Sequence, residues 1–268
     1  MKTVLGRRFC LFHRPYSDTE CRGAIIYVHP FGDEMNKSRR MAALQARTFA
    51  AMGFGVLQID LFGCGDSSGE FRDARWDIWK QDLTSARNWL ANRIIAPVSL
   101  WGLRLGALLA LDFARNEASI DQIILWQPVI SGKSFLNQFL RLRMVNEMLA
   151  GSGAEKGTGT NTMRKCLANG EMLEVAGYEL APDLAADIDS LDTAGLAVET
   201  SIIHWFEIVA EPGRSITPAG TKILEEWRRN EVDPHVYLVT CPPFWATQEI
   251  AECPELVSAT AGALAKGA

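Results

Sequence analysis

The chain has 268 residues, 48% of them hydrophobic and 22% charged, a globular composition that excludes a disordered, collagen-like or disulfide-stapled chain. Its length suits one core domain with an insertion, or at most two small domains, since domains usually hold about 100 to 200 residues. With 27 Lys plus Arg against 32 Asp plus Glu, the formal net charge of −5 excludes an electrostatic nucleic-acid binder, which needs a basic surface.

The first segment, Met1 to Pro15, carries Arg7, Arg8, His13 and Arg14 and no apolar run of signal-peptide length, so nothing in it predicts export. Gly23-Ala-Ile-Ile-Tyr-Val-His29 is a β-rich apolar run that ends in the turn Pro30-Phe-Gly-Asp33, which predicts a buried strand leading into a loop. From Arg39 onward Met41, Leu44, Phe49 and Met52 fall near helical spacing, and Gly53 stands where a helix C-cap is expected. The next strand is Gly55 to Asp60. After the loop Leu61 to Gly69, Trp76, Trp79, Leu83, Ala86 and Leu90 recur at steps of three and four, one face of an amphipathic helix.

Pro97 to Gly102 reads as a strand, Leu105 to Arg115 as a buried helix, and Ile120 to Val129 as a further strand. The apolar stretch from Pro97 to Ala114 is broken by Arg104 and Asp112, so it does not predict a transmembrane segment. Strands alternating with helices, and poor in charge, predict an α/β fold with a mostly parallel, doubly wound sheet covered on both faces. Ligands on such sheets bind at the carboxyl ends of the strands. Between Ser131 and Leu196 the rhythm changes to helix-like segments around a Gly/Ser/Thr-rich stretch, Gly151 to Asn161, which reads as a lid-like insertion with a mobile loop. Thr200 to Val209, a helix near Pro218 to Asn230, the strand Val236 to Thr240 and a helix near Cys253 to Leu264 resume the pattern. The expected division is a core of residues 1–132 and 198–268 with a cap at 133–197.

Three segments in order resemble the α/β-hydrolase superfamily. His29-Pro-Phe-Gly32 follows a strand where that fold keeps its oxyanion loop. Asp60-Leu-Phe-Gly-Cys-Gly-Asp-Ser67 is similar to the superfamily's Asp-x-x-Gly-x-Gly-x-Ser turn. Gly102-Leu-Arg-Leu-Gly106 lies between strand and helix as the nucleophile elbow Gly-x-Ser-x-Gly does. The resemblance implies oxyanion donors at Phe31 or Gly32, since Pro30 has no N–H, and at Leu105. It departs from the superfamily at Arg104, because a guanidinium stays protonated and offers donors but no acceptor or nucleophile. The loop after the last strand, Thr240-Cys-Pro-Pro-Phe-Trp-Ala-Thr-Gln248, contains no histidine, and the nearest acids to the usual position are Glu207 and Glu211.

Taken with Val28 to Arg40, the Cys64 loop and Pro243-Phe-Trp245, these segments resemble the family called exosortase A system-associated hydrolase 2. That resemblance implies a bacterial hydrolase near exopolysaccharide and protein-sorting systems, with an export-system protein as partner. It supplies no substrate.

Two functions stay open. One is a hydrolase of acyl-ester type, acting on a small-molecule or saccharide-linked substrate through a non-standard site of Arg104, Cys64, Glu34 and His29. The other is a catalytically silent relative that holds an anionic ligand or a protein partner in the same cleft. Arg104 reads either as an anion clamp at a helix N-terminus or as a plug paired with Glu34 or Asp66. Cys64 and Cys241 read as displaced nucleophiles or as packing residues, and Glu34 as a general acid/base or a first-turn carboxylate. Asp66, Cys241, Phe244 and Trp245 are expected to line the pocket. The six cysteines form no Cys-x-x-Cys pair, so zinc and thioredoxin chemistry lack their signature. No metal and no cofactor are expected, and the location is expected to be cytoplasmic and reducing.

Overall fold

The computed structural model describes residues 1–16, 21–117, 119–149 and 159–266. The Gly/Ser/Thr-rich stretch expected to form a mobile loop lies, up to residue 158, outside the described residues. By its internal contacts the chain divides into two compact units. One comprises Met1–Phe9, Asp60–Asp82 and Ile130–Asp192, and the other Cys10–Ile59, Leu83–Val129 and Thr193–Ala268. The expected insertion thus falls, as far as Asp192, in the first unit.

In chain order the elements are β1 (Lys2–Thr3), β2 (Gly6–Arg7), β3 (Cys10–His13), β4 (Gly23–Val28), α1 (Asp33–Ala51), β5 (Phe54–Ile59), α2 (Trp76–Ala91), β6 (Val98–Leu103), α3 (Leu105–Ala114) and β7 (Ile120–Trp126). There follow α4 (Gly132–Leu149), α5 (Thr160–Ala168), β8 (Leu173–Val175), β9 (Tyr178–Leu180), α6 (Pro182–Ser190), β10 (Ile202–Val209), α7 (Pro218–Arg229), β11 (His235–Thr240) and α8 (Pro254–Lys266).

The second unit is built on a seven-stranded sheet in the order β11-β10-β7-β6-β4-β5-β3. Every pairing is parallel except β3 with β5, which is antiparallel in the register Cys10 with Ile59 and His13 with Val56. This is the α/β-hydrolase fold expected from the sequence. Every residue of β4 and β6 is buried, as a strand covered on both faces requires. On one face Met41 and Phe49 of α1, Trp101, Trp126 and Phe206 of the sheet, and Leu256 and Leu264 of α8 close a single apolar cluster. The other face carries Trp205, which meets Trp227 of α7 edge to face at 5.8 Å. Adjacent residues Trp205 and Phe206 serve opposite layers because strand side chains alternate.

In the first unit, β1 and β2 pair as an antiparallel hairpin, as do β8 and β9. Phe71 packs edge to face on Tyr178 at 5.0 Å, and Arg75 pairs with Asp183 at 3.1 Å. A buried ion pair joins Arg8 to Asp82 at 2.7 Å, with the second carboxylate oxygen accepting the Phe62 amide at 2.8 Å. Gly132 opens α4 against the end of α6, where a Cβ would lie 1.7 Å from the Ile188 carbonyl oxygen. Among the described residues no helix is long and apolar enough to cross a membrane.

Candidate active-site elbow

The residue that links β6 to α3 is Arg104, and its backbone has φ 56° and ψ −119°, a region that L side chains avoid. Two glycines make this turn possible. A Cβ on Gly102 would sit 2.5 Å from the Ala107 Cα, and one on Gly106 would sit 2.3 Å from the Val28 carbonyl oxygen and 2.4 Å from that of His29. The first contact would push apart the two arms of the elbow, and the second would push α3 off the end of β4. Hydrogen bonds hold the apex: the Arg104 amide donates to Trp126 O at 3.0 Å, and the Arg104 carbonyl accepts from Ala107 N at 3.1 Å and Val129 N at 3.3 Å. The turn that in Gly-x-Ser-x-Gly lifts a serine above the sheet here lifts an arginine.

The Arg104 side chain, 17% exposed, donates through Nε to Glu34 Oε1 at 3.3 Å, and its guanidinium lies 5.5 Å from the Trp245 ring centroid. Glu34 stands in the first turn of α1, where a carboxylate is favoured by the helix dipole. Of the two partners the sequence left open for Arg104, Glu34 is the one found. The other Glu34 oxygen, Oε2, is buried without a hydrogen-bond partner. Burial pushes the Glu34 carboxyl above its ordinary range, and the Arg104 charge works against that rise.

The preceding loop is held by its own atoms. His29, buried, donates from Nδ1 to the Pro30 carbonyl at 2.7 Å, so that ring proton is committed to shaping the loop. Gly32 caps α1 with φ 57° and ψ −132°, which needs glycine. Phe31 is buried beside it, and Leu105 is the first residue of α3, whose amide has no acceptor within its own helix. After β11, Phe244 is fully buried between Trp126 and Trp245, at ring separations of 6.2 and 5.1 Å. Cys241 is bonded to Cys253 in a disulfide. That corrects the reading of Cys241 as a nucleophile, since a cysteine in a disulfide has no thiol.

Neither carboxylate near the usual acid position meets a histidine. Glu207 is buried and accepts from Trp205 Nε1 at 3.2 Å and the Thr217 amide at 2.9 Å, which ties β10 to the start of α7. Glu211 is exposed and pairs with Arg214 at 3.5 Å. His204 bonds Gln122 at 3.0 Å and stacks with His235 at 5.5 Å, while His13 bonds Gln58 at 3.3 Å. Sequence reasoning missed Gln127, which follows β7 with φ 42° and accepts the Ile208 amide on its side-chain oxygen at 2.5 Å. Its one signal was a polar residue directly after a wholly apolar strand end.

Cys64 and Asp66 belong to the first unit, in a turn that is satisfied internally. Asp60 accepts the Asp66 amide at 3.0 Å, and Ser67 Oγ donates to the Asp60 carbonyl at 2.5 Å while accepting the Phe9 amide at 3.0 Å. Gly63 has φ 74°, and a Cβ there would meet the Glu70 carbonyl oxygen at 2.6 Å. Burial, then the charges of Asp60 and Asp82, push the Cys64 thiol up, which disfavours the thiolate that a nucleophilic Cys64 would need. Asp66 is an exposed turn residue whose amide serves Asp60. Among the described residues no group of three or more His, Cys, Asp or Glu side chains is placed to hold a metal ion.

Comparison with known proteins gives one family and one fold. The Hydrolase_4 family, described as serine aminopeptidase, S33, matches residues 19–167. No curated protein matches the sequence. Est1E from Butyrivibrio proteoclasticus, with ferulic acid bound, superposes with a TM-score of 0.65 at 15% identity, covering 97% of this chain and 94% of that one. A thermostable carboxyl esterase from Bacillus coagulans in complex with glycerol gives 0.63 at 13% identity, covering 99% and 96%. Mouse alpha/beta hydrolase domain-containing protein 10 gives 0.60 at 14% identity, covering 97% and 95%.

Proposed function

We propose, from the premise that this chain belongs to the serine aminopeptidase S33 family of α/β hydrolases, that its elbow binds an anionic small molecule instead of attacking an acyl group. The observation that carries this reading is the guanidinium of Arg104 on the strained turn where a serine would stand. Arginine cannot be deprotonated in a protein, so it is neither nucleophile nor base. Its planar fork matches carboxylate and phosphate, and the adjacent Leu105 amide at a helix N-terminus adds a donor of the same polarity. The two cysteines support it too, because burial disfavours the Cys64 thiolate and Cys241 is spent in a disulfide. The resemblance of the His29, Cys64, Arg104 and Trp245 segments to exosortase A system-associated hydrolase 2 supports a ligand drawn from surface-polysaccharide or protein export.

Glu34 favours a second reading. A buried carboxylate oxygen without a partner, on a residue whose pKa is raised, suits a general base that takes a proton from water as the water attacks an ester and returns it to the leaving alkoxide.

One experiment separates the two. The protein is titrated with acetate and inorganic phosphate while its melting temperature is followed, and it is assayed on a panel of p-nitrophenyl acyl esters. The binding reading expects saturable stabilisation by the anions that disappears in Arg104→Gln, with ester turnover no greater than a heat-inactivated control. Turnover that is abolished in Glu34→Gln supports the second reading and overturns the first.

A further inference from the structure

The Arg104–Glu34 pair is half made. Nε of Arg104 donates to Glu34 Oε1, while the two terminal guanidinium nitrogens make no hydrogen bond among the described residues and Glu34 Oε2 is buried with no partner. A guanidinium and a carboxylate that face each other fully close two parallel bonds, and here only one has formed. What remains side by side is a set of N–H donors and one carboxylate oxygen that lacks a donor. Leaving that oxygen bare inside the protein is costly, because a buried charged acceptor without a partner has lost its water and gained nothing in return. The raised pKa of Glu34 is the same deficit seen from the proton's side.

A plain carboxylate fits this arrangement badly. It can accept from the free guanidinium nitrogens and the Leu105 amide, but it places a second negative group against Glu34 Oε2 and leaves that oxygen unpaired. A ligand that also carries an O–H or N–H on the carbon next to its carboxylate can accept from Arg104 and donate to Glu34 together. We propose that the ligand of this elbow is a 2-hydroxy or 2-amino carboxylate, with Arg104 holding its acid group and Glu34 Oε2 reading the neighbouring donor. The inference rests on the anion-binding reading of Arg104, and Glu34 turns that site from a general anion clamp into one that selects for the adjacent donor. A site built to bond a ligand donor rejects the analogue that lacks it, because its own buried group is then left bare.

Glycolate, glycine, acetate and inorganic phosphate are the probes, with calorimetric titration at pH 8 as the readout, on the wild-type chain and on Glu34→Leu, Glu34→Gln and Arg104→Gln, each checked for folding by circular dichroism. Glycolate or glycine is expected to bind at least about tenfold tighter than acetate, the ratio set by one hydrogen bond to a charged group. The two of them separate a hydroxyl donor from an ammonium donor. In folded Glu34→Leu or Glu34→Gln the preference for glycolate or glycine over acetate should fall to about threefold or less, and in Arg104→Gln all four should be lost. Acetate binding as tightly as both glycolate and glycine, or a preference unchanged in the Glu34 variants, overturns the inference and leaves the anion site standing. Absence of binding by all four probes overturns the anion site and the inference with it.

Discussion

Replacing Arg104 by glycine and by alanine separates the backbone of the elbow from the side chain it carries. Both variants remove the contact with Glu34 to the same extent, so the difference between them reports the turn itself. At φ 56° and ψ −119° a Cβ crowds the neighbouring peptide groups, a strain of about 1 to 3 kcal/mol for residues held in such regions. Alanine keeps that strain. Glycine releases it, but gives back about 0.5 to 1 kcal/mol because its unfolded chain is freer. The net expectation is that Arg104→Gly is more stable than Arg104→Ala by about 0 to 2.5 kcal/mol, centred near 1. For chains of this size each kcal/mol moves the midpoint by about 2 to 4 °C, so the glycine variant should melt up to about 10 °C higher in differential scanning calorimetry. A higher melting temperature for alanine would refute the claim that arginine sits at this apex under strain.

Two further perturbations test the rest of the molecule. Asp82→Ala leaves Arg8 charged and buried at 2% exposure, and should cost about 3 to 5 kcal/mol in urea unfolding, whereas the paired change of Arg8→Met with Asp82→Leu should recover most of it; a single-variant cost below about 1 kcal/mol would mean that the pair is not buried as described. Burial, helped by the charge of His235, lowers the His204 pKa from 6.5 to about 4, so between those values the unfolded chain binds more protons and stability should fall as pH drops from about 6.5 towards 4. The urea midpoint measured at pH 7 and pH 5 should show that loss in the wild type and less of it in His204→Gln.

The elements that were readable in advance are those whose pattern is local. Gly23–Val28 is apolar throughout, and it became a strand buried on every residue. Trp76, Trp79, Leu83, Ala86 and Leu90 recur at helical spacing, and all five are buried. The elements that escaped depend on distant partners or on an unusual turn. Cys10–His13 has no run of alternation, and its strand exists because Val56 to Ile59, more than forty residues away, offers an antiparallel edge. Leu173–Val175 and Tyr178–Leu180 are joined at Ala176 and Gly177, with φ 51° and 84°. Such a turn is announced by Asn-Gly or Gly-Gly, and alanine at its first position hides it.

The site divides in the same way, and the division explains how a hydrolase elbow survives around an arginine. Gly102 and Gly106 were legible because each meets backbone atoms, of Ala107 in one case and of Val28 and His29 in the other, so their smallness is imposed by the approach of α3 to β4 whatever residue stands between them. Arg104 points away from those contacts, and nothing in the packing of the turn requires a hydroxyl there. The side chain at the apex can therefore change its chemistry without a change of fold, provided that something accepts its charge. That acceptor, Glu34, lies 70 residues earlier in the chain. No spacing rule singles it out from Asp66, which the sequence made an equal candidate. The Cys241–Cys253 bond escaped for a related reason, because a separation of 12 residues belongs to no short motif and the two sulfurs meet only when the loop after β11 folds back to the start of α8. Motif spacing records where backbones must come close, and at this elbow the chemistry lies in side chains that the backbone constraint leaves free.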